Sequence, residues 1–157
     1  MGAAILILIV LVAWVVTRLA PLFGQPHLHR LARFHASLAA DRQKVVVCVG
    51  DSLTRGNASY DYVHVLASRL EPDGYTVLNA GVNGDLAWNV LQRIDAVIRG
   101  EPAYVVLLVG TNDARACESD RAAARYERRK ALPQPPDGAF FEESYRCLLY
   151  TSDAADE

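Results

Sequence analysis

Lys44-Val45-Val46-Val47-Cys48-Val49-Gly50 runs directly into Asp51-Ser52-Leu53-Thr54-Arg55-Gly56, and the break between the two halves decides the fold. The first half is a continuous run of mostly β-branched residues. That pattern belongs to a central parallel strand covered on both faces, not to the apolar-polar alternation of a half-solvated one. Gly50 lets the chain turn sharply off the strand. Polar residues begin where the apolar run stops, so the strand opens into a loop at its carboxyl end.

Two further runs repeat the form. Tyr75-Thr76-Val77-Leu78-Asn79 predicts a second strand, and Tyr104-Val105-Val106-Leu107-Leu108-Val109-Gly110 a third, again closed by glycine. Between them the apolar spacing is helical. Tyr62, Val65, Leu66, Arg69 and Leu70 share one face of a helix predicted over 60–71, which Pro72-Asp73-Gly74 stops. Val90, Leu91, Ile94, Val97 and Ile98 repeat the pattern before Gly100. Strand, helix, strand, helix, strand predicts an α/β fold: an open parallel sheet built from right-handed crossovers. Ligands bind such sheets beyond the carboxyl ends of the strands. That rule selects residues 50–56, 79–85 and 110–113, all rich in Gly, Asn, Asp, Ser and Thr.

Composition narrows the classes. The chain has 157 residues, 52% hydrophobic and 22% charged, with a net charge of −2, which fits one globular domain at most. Its 16 basic and 18 acidic residues nearly cancel, and no basic face with interleaved aromatics appears, so no nucleic acid partner is expected. Cys48 reads as a small buried hydrophobe, while Cys117 and Cys147 are scattered; the three form neither a disulfide framework nor a zinc site. No metal and no cofactor are expected.

The apolar run 3–16, extended by Leu19, Ala20, Leu22 and Phe23, predicts a transmembrane anchor over 1–23. As a helix, residues 2–23 span about 33 Å, enough for a hydrocarbon core of ~30 Å. A cleaved secretory signal would need a basic residue before the run and a small-x-small site after it, and both are missing. Arg18, Arg30 and Arg33 follow the run, so the positive-inside rule places the rest of a single-pass membrane protein in the cytoplasm. Residues 24–42 read as a juxtamembrane linker, and His27, His29 and His35 within it as solvated interfacial residues. At the other end, residues 147–157 (CLLYTSDAADE) match the in-frame translation of a transposase sequencing adapter. They are expected to be a non-native tail after a domain spanning 43–146.

A serine hydroxyl becomes a nucleophile only with a tight exposed turn, a base, and donors for the oxyanion of the tetrahedral intermediate. Ser52 has the turn, although Asp51 or Ser52 could equally cap a helix. The other two loops weigh against a cap alone. Gly50-Asp51-Ser52-Leu53-Thr54-Arg55-Gly56 resembles the first block of the GDSL/SGNH hydrolases, Asn79-Ala80-Gly81-Val82-Asn83-Gly84-Asp85 the second, and Gly110-Thr111-Asn112-Asp113 the third. Each follows a predicted strand in the family's order, and residues 140–146 resemble the helix leading towards the next strand.

The resemblance implies a three-layer, flavodoxin-like SGNH hydrolase fold, here incomplete, and a serine esterase or lipase-like activity through an acyl-serine intermediate. It implies Ser52 as nucleophile and oxyanion N–H, with the Gly84 N–H and the Asn112 side-chain amide as the other oxyanion donors. Asn83-Gly84 is also a strong turn dipeptide, and both readings can hold together. Asp51, Asn79 and Asp113 are assigned to holding the loops through side-chain hydrogen bonds.

The family's late Asp-x-x-His block, source of the base, has no counterpart after Asn112. Asp61 and His64 have that spacing but lie in the first helix, out of order. As it stands, therefore, the fragment is expected to be inactive. Residues 115–138 read either as an insertion over the site rim or as a solvated loop. The implied substrates are small-molecule, lipid or glycan acyl esters, thioesters included. A membrane-tethered, non-catalytic binding module using the same rim is the rival.

Overall fold

The computed structural model of the chain describes residues 44–57 and 59–153. The expected anchor over 1–23 and linker over 24–42 lie outside the described residues. Among the described residues, no helix is long and apolar enough to cross a membrane.

Strand β1 (Val45–Gly50) is buried along its whole length, as its unbroken apolar run requires. It pairs in parallel with β2 (Thr76–Gly81) on one side and β3 (Tyr104–Leu108) on the other, giving the order β2-β1-β3. Gly50 stands opposite both Gly81 and Leu108. The three strands therefore end level, and the loops that follow them open on one rim.

Side chains alternate across the sheet. Val45, Val47 and Val49 face a core shared with Ala80, Ala87, Val90, Ile94, Val97 and Leu148, supplied by helices α3 (Ala87–Ile98) and α6 (Gly138–Asp153). Val46 and Cys48 face the opposite way and are equally buried. Helix α2 (Tyr62–Leu70) covers that face, packing on β2 and bringing Tyr62 to the Cys48 thiol. The result is three layers, with helices on both faces of the sheet. Each buried valine of β1 contributes roughly 1.5–3 kcal/mol relative to exposure, so β1 is the axis of the domain.

Asp61 explains the misplaced Asp-x-x-His spacing. Its carboxylate accepts the His64 N–H at 3.0 Å and caps α2, while the His64 side chain is exposed. The helix predicted over 60–71 ends in a 3-10 turn at Glu71–Asp73, closed by Gly74 at φ +82°.

Strand β3 is as apolar in sequence as β1, yet Tyr104 is 60% and Leu108 42% exposed. Like β2 it is an edge strand among the described residues, but β2 is covered by α2. Sheet position decides burial here, and an apolar run does not reveal it.

Residues 115–138, read as an insertion over the rim or a solvated loop, are largely helical and pack against the rim. After α4 (Thr111–Ala116), helix α5 (Asp120–Lys130) is capped by Ser119, whose hydroxyl accepts the Ala122 N–H at 3.3 Å. Leu86, Ala116, Leu132 and Phe140, with Trp88 and Tyr126 against them, form a second small core under this segment. The first residues of the expected non-native tail, 147–153, continue the last helix of the fold. Helix α6 runs through that boundary to Asp153, and Leu148, one turn past the buried Ser144, sits 1% exposed in the main core. The helical period carries it there.

Two glycines set how closely the first loop approaches the sheet. A Cβ on Gly50 would strike the Leu108 carbonyl and the Thr54 hydroxyl, and one on Gly81 would strike the backbone of Thr54 and Arg55. Helix α1 (Ser52–Arg55) thus lies directly on the end of β2. Because the obstacle is backbone, Gly81→Ala should lower stability by about 1–3 kcal/mol. Urea unfolding checks this, and an unchanged midpoint would contradict the close approach.

Candidate functional site

The first loop holds Ser52 through its neighbour. The Asp51 carboxylate accepts the Leu53 N–H at 2.9 Å, capping α1, so Ser52 is the first residue of a helical turn. Gly56, at φ +74°, ends that turn. The helix-cap reading of Asp51 and the exposed-turn reading of Ser52 are the same geometry. Ser52 is half-buried, and neither its hydroxyl nor its N–H bonds to another described residue.

The second loop is fixed to the sheet ends. Asn79 donates to the Thr54 carbonyl at 2.8 Å and accepts the Gly81 N–H at 2.9 Å, tying the first two loops together. Val82 N–H donates to the Gly50 carbonyl at 3.0 Å, and Asp85 N–H closes a turn onto the Val82 carbonyl at 3.2 Å. Gly84 takes the third place in that turn at φ +75°, a conformation that glycine adopts without steric cost.

Asn112 joins all three loops. Its amide nitrogen donates to the Asp51 carboxylate at 3.2 Å and to the Asp85 carbonyl at 3.0 Å, and its oxygen accepts the Tyr126 hydroxyl at 3.0 Å. Since Asp51 precedes Ser52 and Asp85 follows Gly84, the loops that carry Ser52, Gly84 and Asn112 meet at this amide. Both N–H groups of the amide are already engaged, however, which the sequence could not show. Donation to a substrate oxygen would replace one of these bonds, the Asp51 contact being the longer. Asp113, next along, accepts the Ala87 N–H through both carboxylate oxygens at 3.1 and 3.2 Å. It holds the amino end of α3, where a carboxylate is favoured.

Three residues outside the family blocks complete the arrangement. Arg93 of α3 donates to the Asp85 carboxylate at 3.1 Å, the Ala80 carbonyl at 2.9 Å and the Gly50 carbonyl at 3.1 Å. Lys130, at the end of α5, donates to the Asn83 carbonyl at 2.6 Å and the Asp85 carboxylate at 2.9 Å. Tyr126 is the third. Arg93 was legible only as a cation four residues after Asn89, near the apolar stripe of α3. Lys130 and Tyr126 had no sequence signal, because their helix reads as solvated.

Burial pushes the Asp113 carboxyl up to about 6, overcoming the opposing bond from Ala87 N–H, and the nearby Asp51 carboxylate adds to the rise. Asp51 is raised in the same way, by burial first and by Asp85 as well, against the Leu53 N–H. Burial also raises the Cys48 thiol, on the α2 face of β1, to about 11, against the lowering hydrogen bond with Tyr62. Among the described residues, no group of three or more His, Cys, Asp or Glu side chains is placed to hold a metal ion.

Comparison with known proteins gives a consistent set of likenesses. The sequence profile described as GDSL-like Lipase/Acylhydrolase family matches residues 48–146. Esterase TesA of Pseudomonas aeruginosa is 36% identical over 76 residues, covering 45% of this chain and 38% of that protein. The chain thus spans well under half the length of this curated relative. Among solved structures, the SGNH-hydrolase family esterase AlinE4 aligns at 24% identity over 75% of each chain with a TM-score of 0.42. A GDSL-like lipase from Bacteroides thetaiotaomicron aligns at 21% identity over 82% of this chain and 72% of its own, also with a TM-score of 0.42.

The Asp113 shift has a sign that can be checked. Its folded pKa of about 6 lies above the ordinary 3.8, so the folded chain binds this proton more tightly than the unfolded one. The stability it contributes is full below about pH 4 and is lost as the pH rises to about 6. Asp51 acts in the same direction. Asp113→Asn should therefore flatten, without abolishing, the fall in urea midpoint over this range. An undiminished slope in the variant would remove Asp113 as its cause.

Proposed function

Because the chain belongs to the GDSL-like lipase/acylhydrolase family, we propose that it carries the nucleophile and oxyanion side of a serine hydrolase acting on acyl esters. The observation that carries this reading is the convergence of three strand-end loops on Asn112 beside a Ser52 whose hydroxyl bonds to no other described residue.

In the proposed reaction, Ser52 Oγ attacks the ester carbonyl carbon and its proton passes to a base. Charge gathers on the carbonyl oxygen, faced by the N–H groups of Ser52 and Gly84 and by the Asn112 amide once it exchanges Asp51 for substrate. The C–O bond to the alcohol breaks, the alcohol takes the proton, and water later releases the acyl group from Ser52. Preorganised donors suit this task because they need not reorient as charge develops.

The base lies elsewhere. His64 is the one histidine among the described residues, and it is exposed on α2 with Asp61 committed to its backbone. We assign the base to a histidine outside the described residues, as the family's late Asp-x-x-His block implies. A serine hydrolase deprived of its base keeps only the slow turnover that an oxyanion site and binding can support. The Asn112 amide, engaged at both N–H groups, supports a second reading: a rim that binds an acyl ligand without cleaving it. Small-molecule, lipid and glycan esters all fit the class. The apolar run over 1–23 supports anchoring of the chain to a membrane as a single-pass protein, with its arginine flank favouring a cytoplasmic domain.

On the full-length protein, a fluorophosphonate probe should label Ser52, and Ser52→Ala should abolish labelling; a label that persists would take Ser52 out of the reaction. Asn112→Ala should fold and lose about 100 to 1000-fold in turnover, whereas unchanged turnover would favour the binding reading. The full chain should stay with carbonate-washed membranes, and removal of residues 1–23 should release it to the supernatant. Full release of the intact chain would overturn the anchor.

A further inference from the structure

Lys130 lies far from the three family blocks in sequence, yet its ammonium reaches the peptide group that joins Asn83 to Gly84. Nζ donates to the Asn83 carbonyl at 2.6 Å. That carbonyl and the Gly84 N–H are opposite edges of one peptide unit, which is planar and trans, and no cis bond occurs among the described residues. A cation holding one edge therefore sets the direction of the other. It also polarises the amide, making the N–H a stronger donor, as linked hydrogen bonds do.

We infer that Lys130 is a positioning residue for the oxyanion site, fixing and polarising the Gly84 N–H through the Asn83 carbonyl. The inference rests on the reading of Ser52 and Gly84 proposed above and deepens it.

The placement is built rather than incidental. Nζ also bonds the buried Asp85 carboxylate at 2.9 Å, and the Lys130 carbonyl accepts the Asn89 side-chain amide at 3.2 Å, so both ends of the residue are held. The next residue, Ala131, adopts φ +49° and ψ +47°, a conformation that favours glycine. Leu132 is then seated in the small core, with its N–H on the Glu127 carbonyl at 3.0 Å. Of the three cations closing α5, Arg128 and Arg129 are exposed and only Lys130 turns inward. Gly84 fits closely under its stem: a Cβ there would stand 3.0 Å from Lys130 Cε.

Charge gives the same direction. The carboxylates of Asp51, Asp85 and Asp113 surround Asn112 and the loop it holds, and negative charge developing on a substrate oxygen would be opposed by them. Arg93 and Lys130 both bond Asp85, and Lys130 is the one that also contacts the Gly84 peptide. Lys130→Met keeps the stem as far as Cε, removes the ammonium and leaves Asp85 paired with Arg93, so no buried carboxylate is abandoned.

The test uses saturable inactivation of the full-length protein by a fluorophosphonate, which separates the maximal labelling rate from the apparent affinity of the probe. Lys130→Met should lower the maximal rate by about tenfold to a hundredfold with affinity nearly unchanged, and Lys130→Arg should recover most of the loss. A purely structural role would change the thermal midpoint and leave the rate of the folded fraction intact. A Lys130→Met rate equal to wild type, or an equal loss in Lys130→Arg, overturns the inference. Should Lys130→Met fail to fold, Lys130→Gln, which donates without charge, should still label more slowly than wild type, and a wild-type rate in it overturns the inference equally. Wild-type protein that takes no label, or Ser52→Ala that still takes it, defeats the hydrolase reading and this inference together. Ser52-specific labelling indifferent to Lys130 defeats this inference alone.

Discussion

The guanidinium of Arg93 is the constraint on which the rim depends. Sheet pairing stops at Gly50 and Gly81, and beyond that point nothing in the β-ladder directs the chain. Arg93 spans the gap, bonding carbonyls at the ends of two adjacent strands, Gly50 and Ala80, together with the Asp85 carboxylate. A guanidinium suits the position because its donors are fixed in a plane and it cannot shed its charge. Burial pulls its pKa down, and the charge and hydrogen bond of Asp85 act against that. The second loop is thereby locked to the sheet before any substrate arrives.

Asp85 then transmits that constraint outward. Its carboxylate holds Arg93 below and Lys130 above, and its carbonyl takes one N–H of Asn112. Asp51 and Asp113 play parallel parts, each tying a backbone N–H of a helix start. Three buried carboxylates at one rim repel one another, and the rise in the Asp51 and Asp113 pKa values reflects this beside burial itself. The cations and N–H donors gathered there offset that repulsion. Buried polar groups of this kind are sustained only where their partners are in place.

The parts of this structure legible in sequence are those governed by short-range periodicity. β1, β2, α2 and α3 follow from apolar spacing, with ends displaced by a residue or a few, and the strand-end rule chose the three loops that do meet. The loop-holding roles of Asp51, Asn79 and Asp113 were legible because short polar side chains after a strand bond nearby backbone. What was not legible depends on what lies across the fold. The exposure of β3 follows from its place at the edge. The inward turn of Lys130 and Tyr126 follows from the small core beneath α5, whose own sequence is largely polar. The commitment of both Asn112 N–H groups follows from Asp51 and Asp85 meeting at one point, which no spacing encodes.

The same contrast bears on how a turn can also be a site. Asn83-Gly84 is a turn dipeptide, and the structure makes it one: φ +75° at Gly84 under the bond from Asp85 to Val82. A turn held by one such bond can rock about its peptide plane, and a donor that rocks is poorly aimed. Here the plane is gripped at its carbonyl edge from another helix, the residue after it is held by two cations, and Val82, the first residue of the turn, donates its N–H to Gly50. Local sequence supplies the bend, and distant side chains remove its freedom. Precision at such a rim therefore comes from the layers packed around the loops more than from the loops themselves.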